Sequence, residues 1–581
     1  MYLRETRRRN ADGSEVAYLA LAHNERDPDS GVPKARIIHH FGRADQVDRD
    51  GLARLVRSIS RFLGPAEAVA ATASGEVSVV ASRPMGSSWV ADRLWERLGI
   101  GSTIARAATG RRLDGELASR VVFAMVANRL SVKPLSKLAG CDWVAERAFV
   151  EGLPGTTADE CYRAMDFFSG TLAELQERVF FAVANLLNLE VDLLFFDTTS
   201  TYWECDGLPD ELTDDDEEEK EGTEKTKDRP GTVAERATRA YSGHSKDHRP
   251  DLPQIVIGMA VTREGIPVRL WSFPGTTSDQ VLIRKVKDDL GAWNLNRVIW
   301  CLDRGFTSEE NRRYLQRGGG HYIVGEKLRA GSAEAAAALG RAGRYHNVGG
   351  NLRVKEVRVD DGTVRDRFVI CHNPERAVRD QAVREEILAR LATRIDGSDA
   401  LDVAHRQQLY GALRKKAAFN RFLRLTPGAK LRVNRAAVAR EAKLDGKFLL
   451  RTSDETLSAT DIALGYKALY EVERGWRDTK STIDLRPVYH RKAERIAAHV
   501  QLCWLALLIL RVAEVEVGDT WRNIRNELDR MHLVTLRTSE GLVSQRTELT
   551  AGQRRILTAL GLAEPPLFYD FTPVAEPAAP T

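Results

Sequence analysis

The sequence predicts an α/β protein, a mixed sheet with helices against it, preceded by a mainly helical N-terminal region. Three observations carry this. "LLFF" (193–196) and the apolar part of "NRVIWCLDRGF" (296–306) are short, wholly apolar runs, and each is followed by an Asp. Such runs read as strands buried on both faces. "PQIVIGMAV" (253–261) and "IPVRLWSF" (266–273) are joined by "TREG", a hairpin signal. Residues 279–290 have helical period, and the resulting order of strand, hairpin, helix, strand calls for a mixed sheet.

At 581 residues the chain exceeds one core, so several domains are expected. Residues 1–41 alternate as strands, and 47–63 read as an amphipathic helix; together they make a β-rich then helical region, 1–80. "LGPAEAVAATASGE" (63–76) has linker composition. Residues 81–188 are helical, with breaks near Pro134 and Pro154. The first part of the core is 189–329, interrupted by an acidic loop at 206–228. Residues 330–455 hold strand-like runs around a helical, basic middle and are expected to be a β-rich insertion. Residues 456–520, with helices at 461–481 and 492–517, complete the core; 521–581 are expected to be a helical segment and a disordered Pro/Ala tail beyond 566.

Six Cys at 141, 161, 205, 301, 371 and 503 are too scattered for a zinc ribbon or a CxxC pair, which suits a reducing interior. "MYLRETRRRN" lacks the apolar core of a signal peptide, and the apolar block at 500–513 is too short to span a bilayer. A cytoplasmic, nucleoid-associated protein without membrane contact is expected. No P-loop is present, so ATP use is not indicated. Net charge is +4, but residues 206–228 carry twelve acids and three lysines, leaving +13 on the remainder. That basic excess suits a polyanionic partner.

Asp197 and Asp303 each follow a buried strand, and both could reach one edge of the sheet. Alone, each would be a turn or capping Asp. Together they would repel unless a cation lay between them, and hard oxygen donors favour Mg²⁺ or Mn²⁺. Two such ions can activate water and stabilise a leaving oxygen in phosphodiester displacement. "GYKALYEVERGWRDTK" (465–480) supplies a third acid: on one helix, Tyr466, Leu469, Glu473, Trp476, Arg477 and Lys480 share a face, and Glu471 points elsewhere.

Tyr466, Glu473 and Lys480 have the spacing of the Tyr-Arg-Glu-Lys signature helix of cut-and-paste insertion-sequence transposases of the DDE class, which this stretch resembles. Leu469 stands where that family usually has Arg. "RPVYH" (486–490), "DGKFLLRT" (445–452), "YSGHSKDHRPDLPQIVIG" (241–258) and "FPGTTSDQ" (273–280) also resemble the group. The resemblance implies a ribonuclease-H-like core of the retroviral-integrase superfamily, with Asp197, Asp303 and Glu473 as catalytic residues and ligands of two Mg²⁺ or Mn²⁺ ions. It implies double-stranded DNA as partner, both element ends and target, and a DNA-bound homodimer. Tyr466, Arg477, Lys480, Lys246, Arg249, Arg304 and Arg486 are the expected DNA contacts. In the family the insertion often lends a Trp that stacks on a flipped base. Residues 330–455 contain no Trp, and Tyr322, Tyr345, Phe368 and Phe448 are the candidates for that place. Two other readings stay open: a nuclease that cuts without joining, and an inactive relative that only binds DNA.

His244 and His248 have H-x₃-H spacing but no second ligand pair. Asp192 reads as a cap, Asp279 as a helix start and His499 as a core residue. The acidic run reads as a solvated loop, with DNA mimicry as a further idea.

Overall fold

The computed structural model describes residues 1–10, 14–26, 32–52, 55, 77–189, 192–202, 240–241, 249, 252–275, 277–293, 298–329, 331–360, 365–486, 488–490, 492–538 and 541–573. The linker, most of the 47–63 helix, the acidic run, His244, His248 and Lys246 lie outside the described residues. The chain divides into two compact units, one of residues 1–82, 533–547 and 566–581, the other of 83–532 and 548–565.

In the first unit, strands β1 (Tyr2–Arg9), β2 (Glu15–Arg26) and β3 (Pro33–Arg43) form an antiparallel sheet in that order, as their alternation predicts. A strand β4 (Ser78–Pro84) belongs to another sheet, completed by the C-terminal strands.

The second unit opens with helices. Asp114 caps Gly115–Leu130, Ser136 caps Lys137–Asp142, and Thr157 with Glu160 forms a capping box on Ala158–Ser169. The sheet follows: β5 (Leu193–Tyr202), β6 (Ala240–Tyr241), β7 (Pro253–Val261), β8 (Pro267–Pro274), β9 (Ile299–Leu302), β10 (His321–Glu326), β11 (His346–Gly349), β12 (Leu352–Asp360), β13 (Arg365–His372) and β16 (Lys447–Thr452); β14 (Leu423–Leu425) and β15 (Leu431–Val433) pair separately. The order is β11-β12-β13-β16-β10-β9-β5-β7-β6, with β8 on β7. β9 is parallel to β5 and β10, whereas β7 is antiparallel to both of its neighbours β5 and β8. The mixed α/β architecture is therefore as expected.

Alternation fixes the two faces. Leu194, Phe196, Leu302 and Val324 join one apolar core with Leu282 and Val286 of the helix Asp279–Gly291. The other face takes the helices Ala459–Lys467, Tyr470–Ser481 and Ala493–Val517. Two glycines let them close on the sheet: a Cβ on Gly465 would lie 2.9 Å from Leu193 Cδ1, and one on Gly475 2.7 Å from Met259 Cε. The helix Ala493–Val517 is long and apolar enough to cross a membrane, but it is almost wholly buried within this unit.

Four expectations need correction. β5 does not end at Asp197 but runs on to Tyr202, paired with β7 throughout, because Thr198–Tyr202 is itself strand-forming. The stretch 461–481 is two helices, broken at Ala468–Leu469, so Tyr466 and Glu473 lie on different helices, and Trp476 is buried in the core. The 330–455 region is not simply β-rich: β11, β12, β13 and β16 extend the main sheet, and helices Pro374–Ile395, Val403–Arg414 and Arg435–Ala442 lie between β13 and β16. Beyond 521 the expected helical segment is present as Trp521–Leu528 and Ala551–Ala559, but the chain also adds β17 (His532–Arg537), β18 (Gly541–Arg546) and β19 (Phe568–Pro573), in the order β19-β18-β17-β4, which was not expected.

Buried polar groups hold the helix Tyr470–Ser481 in place. Arg511, 1% exposed, donates to Asp478 Oδ2 at 2.6 Å and Glu514 Oε2 at 2.5 Å, and Arg474 reaches Glu514 at 2.7 Å. The following segment is pinned through its carbonyls: Arg129 donates to Asp484 O at 3.2 Å, and His499 Nε2 to Leu485 O at 3.1 Å. That leaves His499 Nδ1 to accept from Lys137 Nζ at 2.7 Å. Burial, with Arg129 nearby, pulls the Lys137 amine down to about 7.

Arg511→Met would leave Asp478 and Glu514 without their buried cation and is expected to cost about 3–5 kcal/mol in chemical denaturation; a loss below about 1 kcal/mol would show that the network is not what holds this helix. For Lys137 the sign follows from linkage. The unfolded chain keeps its proton up to 10.5 and the folded one releases it near 7, so in that window the unfolded state binds more protons and stability rises with pH. Melting temperature should climb from about pH 7 to about pH 9 in the native protein and climb less in Lys137→Met; equal slopes would exclude the buried amine as the cause.

Candidate active site

β5 and β9 run parallel with Phe196 opposite Leu302 as their last pair. The next residues are Asp197 and Asp303, on strands about 5 Å apart. With Phe196 committed to the core below, Asp197 turns to the face covered by the helices Ala459–Lys467 and Tyr470–Ser481. Asp303 leaves β9 as the N-cap residue of a short 3₁₀ turn, Arg304–Phe306. Tyr466 Oη lies 3.4 Å from Asp303 Oδ1. Burial, reinforced by Asp303, raises the Tyr466 hydroxyl well above its ordinary value, so it stays protonated and can donate. Gly325 of β10, next in register after the Val324–Leu302 pair, makes room: a Cβ there would sit 2.3 Å from Tyr466 Oη. Phe448 of β16 stacks on the Tyr466 ring, 6.3 Å between centroids at 26°.

Asp197, Asp303 and Glu473 line one cavity of about 530 Å³ with Arg304, Asn373, Arg376, Phe448, Tyr466, Lys467, Leu469 and Tyr470. Asp197 is half-buried; Asp303 and Glu473 are exposed. Glu473 comes from the first turn of its helix, and Glu471 turns away to Arg474 and Gly265, as the spacing predicts. A second cavity of about 780 Å³ shares only Asp303 and Arg304 with the first and reaches Arg312, Glu326 and Lys327. The strand alternation separates the two: Glu326 follows Val324 onto the opposite face from Gly325.

The donor set in the first cavity is carboxylate oxygen without His or Cys, which fits a hard divalent cation. Among the described residues no three His, Cys, Asp or Glu side chains converge closely enough to hold an ion in common. Binding would therefore require rotation of carboxylates that already border one space.

Of the expected DNA contacts, Tyr466 and Arg304 line the cavity. Arg477, exposed, donates to Tyr470 Oη at 2.7 Å. Lys480 sits near the end of the same helix. Arg249 lies over the Tyr202 ring at 5.2 Å, at the far end of β5. Arg486 is half-buried in the segment after the helix, and Lys246 lies outside the described residues. Of the four aromatic candidates only Phe448 lines the acid cavity; Tyr322 and Phe368 are buried, and Tyr345 packs on His372 and Lys355. The sequence reading missed Asn373, Arg376 and Lys467. Lys467 adjoins a residue already singled out. For the other two, the Asn-Pro helix start after a strand-like run marks a strand end, but nothing in sequence places that end beside β9. Asp192 accepts from Leu193 N and pairs with Arg263, Asp279 begins a helix and accepts from Thr198, and His499 is a core residue, all as expected.

Two family models match the chain. One, described as the IS1634 family transposase N-terminal domain, covers residues 3–71; the other, the transposase DDE domain, covers 238–509. The second spans Asp303 and Glu473 and begins after Asp197. No curated protein matches. Among solved structures, a cryo-EM structure of the piggyBac transposase synaptic complex with hairpin DNA aligns at 10% identity over 82% of this chain and 80% of that one, with a TM-score of 0.34, too low to weigh. The two family models lie in order along the sequence and together span more than half of it, and the chain belongs to the insertion-sequence transposases of the DDE class.

Proposed function

We propose that this transposase cleaves DNA at the ends of its element and joins the freed 3′ ends to target DNA, using Asp197, Asp303 and Glu473 as its catalytic acids. The observation that supports this most is that three carboxylates, from two adjacent strands and a separate helix, border one cavity. The order β8-β7-β5-β9-β10, three antiparallel strands followed by two parallel ones, supports reading the core as ribonuclease-H-like.

The three acids would hold two Mg²⁺ or Mn²⁺ ions. Bound there, such ions activate water or a 3′-hydroxyl and stabilise the departing oxygen. The chain's own groups bind and orient. Arg304, Arg376 and Lys467 surround the cavity with positive charge, where a phosphodiester would sit. Tyr466 steadies Asp303, and Arg477, Lys480 and Arg486 lie along or after the Glu473 helix, placed to hold the backbone beyond the cut. No protein nucleophile is required. The N-terminal region, 1 to about 185, recognises the ends, and since two ends must be joined the working form is a DNA-bound homodimer.

Asp303→Asn is expected to lower cleavage of an end-containing duplex in Mg²⁺ by at least ~10³-fold without altering thermal unfolding. Wild-type protein should also give strand-transfer products in a target plasmid. Retained cleavage by the variant would refute the assignment, and cleavage without joined products would favour a nuclease. Tyr466→Phe, which removes a hydrogen bond to a charged group worth about 1.5–3 kcal/mol, should slow cleavage ~10–100-fold and raise the Mg²⁺ concentration needed; Gly325→Ala should do the same by displacing the hydroxyl, and wild-type Mg²⁺ dependence in both would remove Tyr466 from the account.

A further inference from the structure

Residues 374–445 form a subdomain nested between two neighbouring strands. Its neck is tight: Asn373 N donates to Gly446 O at 2.8 Å, and Gly446, at φ +65°, could take no Cβ, which would lie 2.3 Å from Asn373 O. It has an apolar core of its own, built from Leu391, Leu413, Phe419, Phe422, Leu423 and Leu431.

Charge is unevenly divided within it. Residues 374–402 hold five Arg against seven Asp and Glu, whereas 403–443 hold eleven Lys and Arg against a single acid, Glu441. That acid is already engaged by Arg421 and Arg329. On the β14–β15 hairpin Arg424 and Arg432 are direct cross-strand partners, a like-charge pairing that costs stability unless an anion offsets it. Asp399 offsets Arg432 alone, at 2.5 and 2.9 Å. Lys415, Lys416, Arg424, Lys430, Arg435 and Lys443 are exposed. A self-contained module with this imbalance is built for a polyanion.

From this we infer that the 403–443 face is a docking surface for duplex DNA, gripping the phosphate backbone without reading sequence. The choice of DNA as the polyanion rests on the function proposed above. The subdomain also borders the site: Asn373 and Arg376, at its neck, line the cavity of the three acids. Phosphate contacts of this kind give affinity that is independent of base sequence and falls steeply with salt.

The test uses the full chain and a labelled duplex of scrambled sequence, with binding followed by fluorescence anisotropy from about 50 to about 200 mM salt. The quadruple variant K415Q/K416Q/R424Q/K430Q should bind at least tenfold more weakly, and the slope of log K against log salt should fall by about 3–4, at roughly 0.9 per phosphate contact. R390Q/R394Q, on the charge-balanced half, should bind within twofold of wild type. Thermal unfolding of both variants should match wild type. An unchanged slope and affinity in a folded quadruple variant would overturn the inference, as would equal losses in the two variants, or wild-type binding to duplex RNA but not DNA. The variants' expected behaviour in a protein that never cleaves end DNA would uphold the docking surface while refuting the proposed function.

Discussion

The parallel pairing of β5 with β9 is the constraint on which the rest of the structure depends. It ends with Phe196 beside Leu302, and those two side chains are committed to an apolar core. The following residues, Asp197 and Asp303, must then leave adjacent strands side by side. Brought close together, two carboxylates repel each other, and a cation held between them would relieve that repulsion.

The third acid depends on a different kind of packing. Glu473 reaches the cavity because its helix lies close against β7, an approach that Gly475 permits and that Arg511, buried between Asp478 and Glu514, holds in orientation. Leu469, in the turn just before that helix, lines the same cavity where the resemblance led to an Arg being expected. In this chain a guanidinium reaches the cavity from elsewhere: Arg376 enters it from the nested subdomain. The subdomain thus contributes to the site at its neck, while the cations of its second half are largely exposed.

Much of the core was legible because its strands are buried on both faces and have no other reading. "LLFF", the hairpin around "TREG", the helix from Asp279 and "VIWCL" all lie where period and composition place them. The break at Ala468–Leu469 was not legible, since "KALYE" is made of good helix formers; in the structure Tyr466, just before the break, packs against Asp303 and Phe448. The extent of β5 could have been read from the β-branched run after Asp197 but was obscured by the acidic sequence that follows. The main sheet's growth joins β10 to β16, more than 120 residues apart, and β16 to β13, 75 to 85 apart, and no local signal announces such pairings. For the same reason Arg376 and Asn373 could not be assigned to the site from sequence.

The central claim is that Asp197, Asp303 and Glu473 act as one ligand set. Mn²⁺ binding to the full chain, followed by electron paramagnetic resonance, tests it without reference to activity. The account predicts that Asp197→Asn, Asp303→Asn and Glu473→Gln each weaken the same tightly bound Mn²⁺. Loss of that ion in only one of the three variants, or in none, would contradict it.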